Sequence, residues 1–194
     1  MIYLNQRIKK QIKITDMKAL KFIAIVLGTL VFLLLVVALF VPKDFKYEKS
    51  ITINAPIDTV WLNVSSLSAL DKWSPWNNHD PMMKKELTGV DGTVGAMQSW
   101  TSEVKEVGVG SQTITKVEKP TLFETNLNFM KPHESQGKAF IKLVTDGTGT
   151  KATWGMTGHM PYPVNVMTLF MNMERMMGKD WDNGLTKLKK LSEK

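Results

Sequence analysis

NVMTLFMNMERMMGKDWDNGLTKLKKL, Asn165 to Leu191, is amphipathic on a helical period. Its apolar residues Val166, Phe170, Met173, Met177, Trp181, Leu185, Leu188 and Leu191 recur every three or four positions, the spacing of one helix face. Lys187, Lys189 and Lys190 gather at its end, where the negative pole of a helix favours cations. A helix of this length needs a long apolar partner, and the segments before it supply one.

Those segments are strand-like and separated by glycine turns: 84–90, 95–104, 111–119, 121–130, 137–145 and 151–160. Short connections such as Asp146-Gly147-Thr148-Gly149 predict an antiparallel meander. Residue parity marks the buried face. Phe123, Leu127 and Phe129 alternate with Glu124, Asn126 and Asn128; Ala139, Ile141 and Leu143 alternate with Phe140 and Lys142. Ala152, Trp154 and Met156 alternate with Lys151, Thr153 and Thr157. One face is apolar and the other is wet, as in a sheet packed on one side. Further upstream, YEKSITINAP reads as a strand, and Pro56 opens a helical segment, IDTVWLNVSSLSALDKW, with Val60, Trp61, Val64 and Leu67 on one face. The turn-rich DKWSPWNNHDP follows, its two prolines expected to break any helix.

At the N-terminal end, residues 22–41 run twenty positions without charge or proline. A helix of that length spans about 30 Å, the hydrocarbon thickness of a bilayer. The exit at Pro42 lacks the small-residue pair of a cleavage site, so an uncleaved membrane helix is expected. Residues 1–21 carry six basic side chains (Arg7, Lys9, Lys10, Lys13, Lys18 and Lys21) against Asp16. That bias predicts a single-pass protein of the cytoplasmic membrane with its N-terminus inside and its domain, 46–194, extracytoplasmic. The leader also accounts for most of the net charge of +7, since residues 42–194 hold 19 basic against 17 acidic groups. Such a near-neutral domain has no basic stripe for nucleic acid. With no cysteine, disulfides, thiolate catalysis and cysteine-based metal sites are excluded.

A strand, a helical segment, a run of antiparallel strands and a long last helix make a helix grip. The residues from about Tyr47 to Leu191 resemble the SRPBCC (START-like) superfamily, in particular its polyketide cyclase/dehydrase group. The resemblance rests on SITINAPIDTVW, the WSPW of Trp73–Trp76, GTVGAMQSW, GVGSQTIT, Lys131-Pro132 and the long run from TWGMTGHMPYP to the final helix. It implies an α+β helix-grip fold, with an antiparallel sheet wrapped around the C-terminal helix. It also implies a cavity between the two for an apolar small molecule.

On that reading Trp100, Phe129, Trp154, Met156, Phe170 and Met173 line the cavity, and Trp73 and Trp76 cap the core at its mouth. His133 and Glu124 are the candidate acid–base groups for a cyclase or dehydrase, although no nucleophile accompanies them. His79 and Asp80 lack a third ligand for a metal. His159 falls at a strand end. Met167, Met171, Met173, Met176 and Met177 are soft donors suited to copper(I), but methionine at helical spacing is first a packing residue. No metal and no cofactor are implied. The expectation is a membrane-anchored binding module for an apolar or amphipathic molecule. An enzyme acting on a polyketide-like or lipid-derived substrate is the first alternative, and a protein-interaction module with a packed core the second.

Overall fold

The computed structural model describes the backbone of residues 2–194, with side-chain surroundings from Met17 onward. Arg7, Lys9, Lys10 and Lys13 of the basic leader therefore lie outside the described side chains. The elements are α1 (Ile2–Phe40), β1 (Asp44–Ile53), α2 (Ile57–Leu62), α3 (Leu67–Asp71), α4 (Trp76–His79), β2 (Lys84–Thr88) and β3 (Met97–Thr101). They continue with β4 (Val109–Glu118), β5 (Leu122–Lys131), β6 (Ser135–Asp146), β7 (Gly149–His159), a 3-10 turn (Val164–Leu169) and α5 (Met173–Ser192).

The seven strands form one antiparallel sheet in the order β1-β7-β6-β5-β4-β3-β2. The N-terminal strand thus closes against the last one, from Asp44↔His159 to Ile53↔Thr150. β4 is irregular between Ile114 and Lys116, where one extra residue enters the ladder against β5. Phe123, Ile141, Leu143 and Ala152 all point into the core from the apolar face read by parity. Against them lie Val60, Trp61, Val64 and Leu67 from the first helical stretch and Leu185 and Leu188 from α5. This is the helix-grip fold.

Three element boundaries differ from the sequence-based expectation. The segment after Pro56 is two helices, because Ser66 is extended and its side chain accepts a hydrogen bond from Ala69 N, starting α3 afresh. Asp91 reinforces that start, accepting from Leu67 N at 2.8 Å and Ser68 N at 3.0 Å. Pro75 begins α4 where a helix break was expected, since proline is tolerated at a helix start. The last helix begins at Met173, not near Asn165. Asn172 is extended and caps it through Arg175 N at 2.9 Å, which leaves the preceding Val164–Leu169 as a separate 3-10 turn. Met167 and Met171 are therefore not on α5.

An ionic clasp fastens the first half of α5 to β1. Lys49 Nζ reaches Asp182 at 2.6 Å and Glu174 at 2.7 Å, and Tyr47 donates its hydroxyl to Glu174 at 2.6 Å. Its hydrogen bonds to Asp182 and Glu174 hold the lysine above its ordinary pKa. Burial, reinforced by the bond to Glu174, pushes the Tyr47 phenol up to about 12.

The chain divides into two compact units. One holds Asp44–Met160 and Met171–Lys194, the sheet with its helices. The other holds α1 with Pro161–Phe170. Within it, Met17–Phe40 is long and apolar enough to cross a membrane, and its side chains are exposed along almost the whole length. Thr29 returns its hydroxyl to Ile25 O at 2.9 Å, so its one polar side chain between Phe22 and Val41 is satisfied within the helix.

Candidate functional site

The strand register builds the site. Along the inner face Lys85 lies beside Trp100, Trp100 beside Gly110, and Gly110 beside Phe129. One row over, Gln98 neighbours Gln112 and Gln112 neighbours Leu127; Ala139 neighbours Met156 on the far strands. These residues line a cavity of about 200 Å³ within the sheet-and-helix unit. Leu70, Asp71, Trp73, Ser74 and Trp76 form a second side, and Met177 and Trp181 of α5 a third.

Two glycines set its shape. A Cβ on Gly110 would sit 2.5 Å from the Trp100 ring and 2.7 Å from Asn128 O, so only glycine lets that indole lie across β4. Trp100 meets Phe129 edge to face at 5.9 Å and points its N–H at Val107 O, 3.3 Å away. On α5, a Cβ on Gly184 would meet Trp154 at 2.8 Å. The bare backbone allows Trp154 to stack on Trp181 at 4.3 Å while Trp73 meets it edge-on at 5.0 Å. Trp73 donates to Asn63 O at 2.9 Å. The buried Trp181 N–H has no hydrogen-bond partner among the described residues.

The polar corner is organised around Asp71. One carboxylate oxygen takes Lys85 Nζ at 2.5 Å and the other takes Gln98 Nε2 at 2.8 Å. Lys85 also donates to Asn77 Oδ1 at 2.6 Å, and Gln112 donates to Thr125 Oγ1 at 2.8 Å. With both oxygens engaged, Asp71 is a fixed acceptor in a wall that is otherwise largely aromatic.

Of the residues selected from sequence, Trp100, Phe129, Trp154 and Met156 line this cavity together, and Trp73 and Trp76 line it as well. Phe170 is 73% exposed and belongs to the α1 unit, because the chain it stands on is the 3-10 turn and its exit. Met173 is the first residue of α5 and is outside the lining. Glu124 sits on the opposite face of β5, since Phe123 and Thr125 on either side of it are buried. His133 is exposed between β5 and β6. His79 pairs with Asp180 at 3.0 Å and His159 with Asp44 at 2.7 Å. Among the described residues no three His, Asp or Glu side chains converge as a metal site. Met156 and Met177 face the cavity, while Met167 and Met176 are exposed.

Asp71, Lys85, Gln98 and Gln112 were not singled out from sequence. Gln98 shares the parity of Trp100 and was legible on that ground. Lys85 was not, because an inward lysine on an edge strand looks like any exposed one until Asp71 is placed beside it.

An antiparallel sheet gripping a helix over an aromatic cavity defines the class. Solved structures with this fold include Ara h 8.0201 (TM-score 0.51, 14% identity, covering 77% of this chain and 97% of that one). Protein MLL2253 from Mesorhizobium loti gives 0.53 at 17% identity, covering 76% and 96%. Protein CV1439 from Chromobacterium violaceum gives 0.53 at 15%, covering 79% and 99%. No curated protein matches the sequence. Residues 44–193 match the family described as polyketide cyclase / dehydrase and lipid transport, and the chain belongs to that family.

Proposed function

We propose that the protein is a membrane-anchored binding module whose cavity takes a ring-sized amphipathic molecule. The observation that carries this is the cavity itself, which favours binding over a fully packed core. Its size limits the ligand. A cavity of roughly 150 Å³ accepts benzene, so about 200 Å³ suits one or two rings or the end of a chain, not a two-tailed lipid. Trp73, Trp76, Trp100, Trp154 and Trp181 supply flat apolar walls, and the Asp71–Lys85–Gln98 corner would orient one polar end.

Anchoring follows from α1, taken as a single span with the basic leader on the cytoplasmic side and the domain outside. A second reading, a reaction on the bound molecule, is favoured by Asp71 and Lys85 facing the same space. His133 and Glu124 have no part in it.

Full-length protein in detergent, titrated with 2-naphthol, should lose tryptophan emission saturably. Ala139→Phe places a ring in the cavity and should abolish the saturable component in the same micelles. Identical titrations for the two proteins would overturn the assignment. Chromatography of released ligands would separate binding from turnover, since an enzyme returns an altered molecule.

A further inference from the structure

We propose that Pro161–Phe170 is a second membrane-contacting segment, strapped to the exit end of α1 by Asn165 and seated in the lipid interface. The proposal rests on the reading of α1 as a membrane span. Asn165 is fully buried, and its amide nitrogen donates to Ala38 O at 2.7 Å and Val41 O at 2.8 Å. It thereby satisfies carbonyls that the end of a helix leaves without intrahelical partners. Ala38 is itself 1% exposed, although its neighbours along α1 are open.

What surrounds this anchor is apolar and uncovered. From Met160 to Asn172 there is no charged residue, unusual for a surface connection. Val164, Met167, Leu169 and Phe170 are each more than half exposed, as are Leu39 and Phe40 at the end of α1. An apolar patch of this kind on a protein surface marks a contact. Meanwhile the polar groups turn inward. Thr168 donates its hydroxyl to Asn165 O at 2.7 Å, Asn165 N bonds Pro161 O at 3.1 Å, and Phe170 N bonds Met167 O at 3.0 Å. These local bonds, with apolar side chains presented outward, suit entry into lipid, although Asn165 Oδ1 is buried without a partner among the described residues. Tyr162, partly exposed, has the apolar body and polar tip favoured at membrane–water boundaries. Continuity with an apolar helix exposed along its length selects a lipid surface over a protein partner.

The absence of cysteine makes single-site labelling unambiguous. Full-length Phe170→Cys and Met167→Cys, carrying a nitrobenzoxadiazole label, would be reconstituted into phosphatidylcholine–phosphatidylglycerol vesicles. Lipids brominated high or low on their acyl chains would report depth, with Leu33→Cys as the reference for α1. The expected result is quenching of Leu33→Cys by the deep bromines and of both strap labels by the shallow ones. Adding Asn165→Ala should remove the strap quenching and leave that of Leu33→Cys unchanged. Strap labels open to aqueous iodide, or blue-shifted without lipid quenching because protein covers them, would overturn the inference while the span stands. Strap quenching that survives Asn165→Ala would overturn the role of Asn165. An unquenched Leu33→Cys would remove the span and the strap's lipid seat together.

Discussion

Asp91 shows how a single side chain fixes the wall of the cavity. Its carboxylate takes the N–H groups of Leu67, Ser68 and Gly92, so the loop before β3 pins the start of α3, whose last residue is Asp71. Burial alone would raise its pKa, but the hydrogen bonds from Ser68, Leu67 and Gly92 outweigh it and hold the carboxyl below its ordinary 3.8. A depressed folded value means that the unfolded chain binds the proton more readily. The stabilisation is therefore complete above pH 3.8 and is lost as pH falls toward the lower folded value. Asp91→Asn removes the charge on this cap and should cost about 1–2 kcal/mol at pH 7. Urea unfolding should show that deficit at neutral pH and a narrower gap between variant and wild type in acid. A gap that stays constant as the pH is lowered would mean that the carboxylate charge does not matter there.

Helix α5 has to approach the sheet closely, and Gly184 is where it does so. Alanine would ordinarily favour a helix interior over glycine by about 1 kcal/mol. Here its Cβ would meet Trp154 at 2.8 Å, Pro75 at 3.3 Å and Trp73 at 3.4 Å, all stiff groups with packed neighbours. Overpacking of that kind costs roughly 1–3 kcal/mol, so the steric term wins. Gly184→Ala should lower the melting temperature and weaken naphthol binding by displacing the Trp154–Trp181 stack. A rise in both would mean that the helix has room to move. The apolar stripe of this helix was plain in the sequence from Met173 onward, as were all seven strands, because parity and period follow directly from which face is buried. Its start was misplaced because Val166 and Phe170 carry the same period back across Asn172. Asn172, the residue that begins the helix, gives only a local capping signal. The aromatic half of the cavity was legible for the same reason as the strands. Of the polar half only Gln98 was, by its parity with Trp100, since Asp71 and Lys85 reach it from two other elements.

At the scale of the whole molecule, the buried apolar core draws on the sheet and its helices. Every member of the main cluster, from Ile53 to Leu188, lies in the unit of Asp44–Met160 and Met171–Lys194. Removing residues 1–43 takes away none of them, so a chain of 44–194 should still melt cooperatively and bind naphthol. The strap changes what else to expect. Without α1, Asn165 loses both acceptors, each hydrogen bond being worth about 0.5–1.5 kcal/mol, and the apolar residues of Pro161–Phe170 keep no partner. The shortened protein should therefore be folded but sticky. Sedimentation should show concentration-dependent association, and Leu169→Ser with Phe170→Ser should return it to monomer without altering near-ultraviolet circular dichroism. If the truncated chain instead loses its near-ultraviolet signal, α1 contributes to the tertiary packing of the sheet. If it stays monomeric at all concentrations, the exposed strap is not the adhesive surface that its composition implies.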